Sequence, residues 1–351
     1  MEYLARFFEP DTWQESSFTN RQGKTIRYGH ATPEGDIKGT VVMTTGYADF
    51  IESYFETMHE YLDRGYQVFM MDWAGHGASE KIRAADVKSG DQKKPAILDD
   101  HMADLWQFRS QIVKPAEGKP VFLSTHSMGG QVALHTLKNH PDAFDGAVLA
   151  TPLVDVKIKG LQKAMLAAAF RAAVKLGLGD SVLEGGRQKA VRKITRARRE
   201  RKKDNPLRMG LHKAFMLGAR DLRAEDPTIA YADNIYRATA ALNAPGALEN
   251  IQTPVLFGIA GRDNMIDNDT IRHAAQRMPQ ARICDIPEAS HAFWIERDDL
   301  RKRWWQSIDG FFADCHAAFD RKHKPANDNA AQAADAAAQK PPPAAAKGPR
   351  A

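Results

Sequence analysis

The chain has 351 residues, 43% hydrophobic and 26% charged, with a formal net charge of +5. That size and balance exclude a chain too polar to fold, and suit one large core with an insertion better than two equal domains. The two cysteines, Cys284 and Cys315, exclude a disulfide framework and a C-x-x-C metal site, and they point to a reducing, cytoplasmic setting.

The first ten residues carry acids and an arginine but no apolar signal core, so no secretory leader is expected, and no uncharged apolar run has the length of a membrane span. A hairpin is predicted from 16–19 to 25–28, turning at Gln22-Gly23-Lys24. Buried-type strands follow at 40–45, 67–72, 121–125, 147–150, 254–259 and 281–286. Between them lie helical patterns at 50–62, ended by Gly65, at 97–113, and at 129–139, stopping before His140-Pro141. A closing helix over 301–319 bears a stripe of Trp304, Trp305, Ile308, Phe311, Phe312 and Phe319, read as core. Short apolar runs separated by helices predict an α/β fold with a mostly parallel sheet covered on both faces. The rhythm breaks between 152 and 245, where the sequence is helical and basic. The expected organisation is a core of 1–152 and 246–322, a helical cap of 153–245, and a disordered Ala/Pro-rich tail of 323–351.

The run at 121–125 enters His126-Ser127-Met128-Gly129-Gly130, and a helical pattern follows. A strand, a sharp turn and a helix in that order make a nucleophile elbow, which lifts a serine hydroxyl above the sheet edge and frees the next N–H for an oxyanion. Ser127 is the candidate nucleophile; the plain alternative is a helix N-cap serine. The position two before it, ordinarily Gly, is Thr125, whereas Gly129 is kept. Serine attack requires a base within reach and an acid to orient that base, in the chain order Ser, Asp or Glu, His. Asp263 follows the strand run at 254–259 and His291 the run at 281–286, so order and position both fit. Asp267 and Asp269 are rival acids further from the strand end. His126 is expected to point away from Ser127 and to pack or hydrogen-bond, and His76, His101 and His135 read as loop or helix-surface residues. Met128 N–H is one expected oxyanion donor, and Tyr47 N–H, in Thr45-Gly46-Tyr47, is the other; the alternative for that loop is a plain Gly turn. The segment from Asp72 to Ser79 reads as a structural loop. This chemistry needs no metal or organic cofactor.

With these residues in place, the chain resembles the α/β-hydrolase family of monoacylglycerol lipases and bacterial lysophospholipases over 25–312. The resemblance rests on Thr45-Gly46-Tyr47, where the family has His-Gly-x, on Asp72-x-x-Gly75-His76-Gly77-x-Ser79, and on His126-Ser127-Met128-Gly129-Gly130. Gly261-x-Asp263 and Ala289-Ser290-His291 add to it, and Glu225-Asp226-Pro227-Thr228 is similar to the bacterial branch. It implies an α/β-hydrolase fold with a helical cap, the triad Ser127, Asp263 and His291, and the oxyanion donors Tyr47 and Met128. It further implies hydrolysis of a lysophospholipid or monoacylglycerol through an acyl-enzyme. Thr45 and Thr125 depart from the family pattern, which bears on rate and substrate more than on reaction type. The same triad would serve a small-ester hydrolase or an aminopeptidase, and outside enzymes the rival is a binding protein that uses the basic cap.

That cap holds ten basic residues and one acid between 187 and 203. Upstream, the pattern at 158–176 sets Lys159, Lys163, Arg171 and Lys175 against Leu161, Met165, Ala169, Ala172 and Leu176. A solvated helical face, docking on anionic lipid headgroups and nucleic-acid binding are the three uses of such charge. Nucleic acid is the weakest, since no recognition motif or interleaved aromatics accompany the charge. Lipid docking, at the inner membrane face, fits an esterase whose substrate lives in bilayers.

Overall fold

A computed structural model describes residues 2–82, 94–158, 160–183, 185 and 206–323. A short helix α1 (Glu2–Ala5) precedes the expected hairpin of β1 (Gln14–Thr19) and β2 (Thr25–Ala31), in which Phe18 pairs with Ile26. The remaining strands are β3 (Gly39–Thr44), β4 (Tyr66–Met71), β5 (Val121–His126), β6 (Gly146–Ala150), β7 (Val255–Ala260) and β8 (Ala281–Ile286). They form one eight-stranded sheet in the order β1-β2-β4-β3-β5-β6-β7-β8, antiparallel at β1/β2 and β2/β4 and parallel elsewhere. Each expected strand is present, with ends shifted by a residue at most places.

Helices cover both faces. They are α2 (Phe55–Asp63), α3 (Leu98–Gln107), α4 (Met128–Asn139), α5 (Gly160–Lys175), α6 (Pro206–Gly218), α7 (Ile229–Asn243), α8 (Asn268–Arg277) and α9 (Asp298–His323). Period-2 alternation sorts the strand side chains between two hydrophobic layers. Val42, Phe69, Leu123, Leu149 and Phe257 face one layer, with α3, α4, α7 and α8. Val41, Val68, Phe122, Val148 and Leu256 face the other, where α9 supplies Trp304, Trp305, Ile308, Phe311 and Phe312. The aromatic stripe is core, as expected, except for Phe319, which is half-buried and stacks on His323; Phe122 stacks on Phe312 with ring centres 4.0 Å apart.

Two helical expectations change. The pattern at 97–113 is not one α-helix: after Gln107 the backbone widens into a π-helical turn, Phe108–Ile112. The predicted helix at 50–62 opens as a 3-10 turn, Ile51–Tyr54, before α2 begins.

Between β6 and β7 the described residues are helical, with only isolated bridges at Val156–Ile266 and Val182–Thr228. Helix α7 buries Tyr231, Ala238 and Leu242 in the core, whereas α5 lies outside α7 and buries no residue. Leu161 and Leu176 are each 77% exposed and Met165 63%, so the apolar half of α5 faces outward. The basic run at 187–203 and the tail beyond His323 lie outside the described residues, and His323 itself ends α9. Among the described residues no helix is long and apolar enough to cross a membrane.

Candidate active site

The sheet order creates the site. From β3 the chain steps outward to β4, then returns to the other side of β3 as β5. Loops leaving neighbouring strands in opposite directions open a crevice at their C-terminal ends. Thr44 pairs with Thr125 and His126 with Ala150, so the loops after β3, β5 and β6 leave the sheet side by side.

Ser127 stands at the turn between β5 and α4 with φ 51° and ψ −114°. A non-glycine residue there costs about 1–3 kcal/mol and persists only where its surroundings impose it. The surroundings are specific. Ser127 N–H donates to the Ala150 carbonyl at 3.0 Å, while the Ser127 carbonyl accepts from Gly130 N–H at 3.0 Å and from Leu153 N–H at 2.8 Å. The close approach of helix to sheet falls on two glycines. A Cβ at Gly129 would stand 2.7 Å from the Thr45 carbonyl, and one at Gly130 would stand 2.8 Å from Pro152 Cα. At that Gly129 position the Thr125 Cβ is an ordinary 3.4 Å away.

The three predicted side chains meet. Ser127 Oγ donates to His291 Nε2 at 2.9 Å, and His291 Nδ1–H donates to Asp263 Oδ2 at 2.6 Å. Asp263 leaves the end of β7, and its other oxygen accepts from Met265 N–H at 2.8 Å and Ile266 N–H at 3.0 Å. Burial pushes this carboxyl upward, but His291 and the two backbone donors outweigh it and hold the group below the ordinary carboxylate range. The rival acids serve elsewhere: Asp267 caps α8 by accepting from Asp269 N–H at 3.2 Å. The loop bearing His291 is tied at Ser290, whose N–H and hydroxyl both donate to the buried Glu296 carboxylate.

The loop after β3 lies against the turn. Gly46 packs so closely on His126 that a Cβ there would come 2.6 Å from its Nδ1. Met128 opens α4, so its N–H belongs to the first turn, whose donors have no acceptor within the helix. Tyr47 follows Gly46, its ring edge-on to His76 and its hydroxyl donating to the Glu225 carbonyl at 3.0 Å.

His126 packs and hydrogen-bonds, as expected, and its Nε2 lies 3.0 Å from the His291 carbonyl oxygen. Burial is the largest influence on its ring and lowers its pKa to about 4. His76 lies in a loop, as expected, although buried, whereas the helix-surface reading of His101 and His135 is overturned, since both are buried. His76 and His101 pack into an aromatic layer with Tyr47, Trp73 and Tyr231, and His135 bridges α4 to the Ala238 carbonyl of α7. The segment from Asp72 to Ser79 is tied as a structural loop. Asp72 accepts from Arg27 Nε at 2.7 Å and from Ile51 N–H at 3.0 Å, while Ser79 Oγ donates to the Asp72 carbonyl at 2.9 Å. Two residues beside the triad were not singled out from sequence, Asp49 near His126 and Thr151 just after β6. Their only sequence signal is position, one on the loop after β3 and the other at a strand end.

A family model described as serine aminopeptidase, S33, matches residues 35–298. The chain is similar to the "Probable lysophospholipase L2" of Haemophilus influenzae, with 23% identity over 88% of this chain and 94% of that one. It is 31% identical to the monoglyceride lipase of Homo sapiens, over 38% of this chain and 42% of that protein. Among solved structures, a soluble variant of monoglyceride lipase from Saccharomyces cerevisiae aligns with a TM-score of 0.65 at 16% identity, over 88% of this chain and 96% of that one. The fold is that of the α/β hydrolases.

Proposed function

The chain belongs to the serine aminopeptidase S33 family, and on that premise we propose that it cleaves the carboxylic ester of a monoacyl lipid, a lysophospholipid or monoacylglycerol. The observation that carries this reading is the hydrogen-bonded row of Ser127, His291 and Asp263 on a strained turn. The lipid substrate is supported by the lysophospholipase and monoglyceride lipase names of its relatives.

In the proposed mechanism, Ser127 Oγ attacks the ester carbonyl while His291 Nε2 takes its proton and Asp263 steadies the imidazolium. The N–H groups of Met128 and Tyr47 receive the oxyanion; a lost donor of this kind costs about 100- to 1000-fold in rate. Collapse expels the alcohol, which leaves with the proton from His291, and an acyl-enzyme remains. His291 then takes a proton from water, which attacks the acyl carbonyl, and the fatty acid departs as Ser127 regains its proton.

A fluorophosphonate probe is expected to label the wild type and to spare Ser127→Ala. A folded but unlabelled wild type would sink the enzymatic reading in favour of a binding protein. Rates across long-chain monoacyl lipids, short esters and aminoacyl anilides then fix the substrate. Faster turnover of the anilides would replace lipid hydrolysis with aminopeptidase activity.

We also propose peripheral contact with an anionic membrane surface at the cytoplasmic face. Its support is the outward apolar face of α5, continued by Leu178 and Val182, and, in the sequence that follows, the basic run at 187–203. Each basic residue near such a surface contributes about 1 kcal/mol. Part of the α5 charge is already matched, since Lys163 pairs with Asp155 at 2.5 Å. Flotation with liposomes is expected to favour anionic over neutral vesicles, and Leu161→Asp combined with Met165→Asp to weaken both. Equal flotation with the two vesicle types would remove the electrostatic part.

A further inference from the structure

We infer that His126 and Thr151 are positioning residues that clamp the backbone carbonyl of His291 and so hold its ring against Ser127. The inference rests on the reading of Ser127 and His291 as nucleophile and base.

The carbonyl oxygen of His291 accepts from Thr151 Oγ1 at 2.7 Å and lies 3.0 Å from His126 Nε2. The two partners come from neighbouring strand ends: His126 is the last residue of β5, and Thr151 follows the Ala150 with which His126 is in register. Both are buried, and Thr151 sits at φ 43°, a left-handed conformation uncommon for a β-branched residue. The His126 ring is boxed in on every side. Trp294 lies edge-on with ring centres 4.2 Å apart, the His291 ring is 4.7 Å away, Gly46 backs it, and Asp49 Oδ2 stands 3.6 Å from Nδ1. Asp49 is itself fixed by the Tyr54 hydroxyl, which donates to it at 3.2 Å. His126 thus joins the oxyanion loop to the loop that carries the base.

The chemistry fits this role. The carbonyl only accepts, so His126 presents the Nε2–H tautomer to it. Burial keeps the ring neutral at neutral pH, so it puts no second positive charge beside His291 when that ring becomes an imidazolium during turnover. Beyond the edge strand β8 the loop that carries His291 is buried and already bonded at Ser290, and the clamp adds a fixed point at His291 itself. A displacement of about 1 Å in a reacting group costs on the order of 100-fold in rate.

Steady-state kinetics on a p-nitrophenyl ester tests the clamp. His126→Phe fills the ring space without a donor, whereas His126→Gln returns an N–H near the Nε2 position. The Phe variant is expected to lose about 10- to 100-fold in kcat with KM within about twofold, and the Gln variant to recover most of the loss. Equal kcat in the two variants, or a loss confined to KM, overturns the proposal. Should His126→Phe fail to fold, Thr151→Ala and Thr151→Ser decide: the clamp requires a drop in kcat for Ala and recovery for Ser, and wild-type kcat in Thr151→Ala overturns it. Wild-type turnover that survives Ser127→Ala would instead overturn the underlying reading, independently of either series.

Discussion

At the scale of single residues, Asp263 shows how a carboxylate is kept ionised inside a protein. It has no exposed side-chain surface, yet one oxygen meets His291 and the other two backbone N–H groups. Asp263→Asn keeps the shape but loses the charge and offers His291 Nδ1 an amide that favours the wrong tautomer. We expect kcat to fall by about 10,000-fold with the fold intact, measured by ester hydrolysis alongside circular dichroism. A fall below tenfold would mean that Asp263 does not orient the base. Ser127, Asp263 and His291 were legible in the sequence because each sits just beyond a strand-like run, in the order this chemistry uses. Thr151 and Asp49 were not, because Thr151 meets a backbone carbonyl 140 residues away and Asp49 stands beside the distant His126 ring, contacts that leave no mark on sequence. The burial of His76, His101 and His135 was hidden for a related reason: a lone polar residue in a loop or helix carries no periodicity, and only tertiary packing decides which side of it is wet.

At the scale of elements, the β5–turn–α4 unit carries the most constraint. Its helix can lie against the sheet and the loop after β6 only because residues 129 and 130 lack side chains. Gly130→Ala would drive a methyl into Pro152, and we expect a loss of about 1–3 kcal/mol in urea unfolding together with reduced activity as Ser127 shifts. Unchanged stability would mean that the Pro152 loop yields freely. The strands were readable to within about a residue because continuous Val, Leu, Ile, Phe and Met runs flanked by polar turns have few other uses. The widened turn after Gln107 was not readable. Phe108 and Ile112 keep helical spacing, so the sequence pattern is the same for either bonding scheme; Phe108 stacks on Phe18 with ring centres 5.9 Å apart. The outward apolar face of α5 was half legible: its amphipathic pattern was plain, but nothing in the pattern says what covers it.

At the scale of the molecule, buried histidines give folding a pH dependence of definite sign. Burial lowers His76 and His126 to about 4 each, takes His101 well below its usual value, and lowers His135. The unfolded chain would take up protons at these rings near pH 6.5. The stability they confer is therefore complete above that pH and is lost as pH falls toward 4. Two carboxyls act in the opposite sense, because burial raises Asp104 to about 7 and Asp72 to about 6. Burial lowers His30, His140 and His316 as well, so the lowered histidines outnumber the two raised carboxyls and predict a falling melting temperature between pH 6.5 and 4; a flat or rising profile in differential scanning calorimetry would refute it.

One contact spans the molecule's two working parts. The Tyr47 side chain is fastened to the main chain at Glu225, while its own amide faces the turn at Ser127 in the proposed mechanism. An outward swing of 225–228 would part that bond and free the Tyr47 side chain. One tyrosine thus ties the segment at 225–228 to the loop after β3, and the two are expected to loosen together.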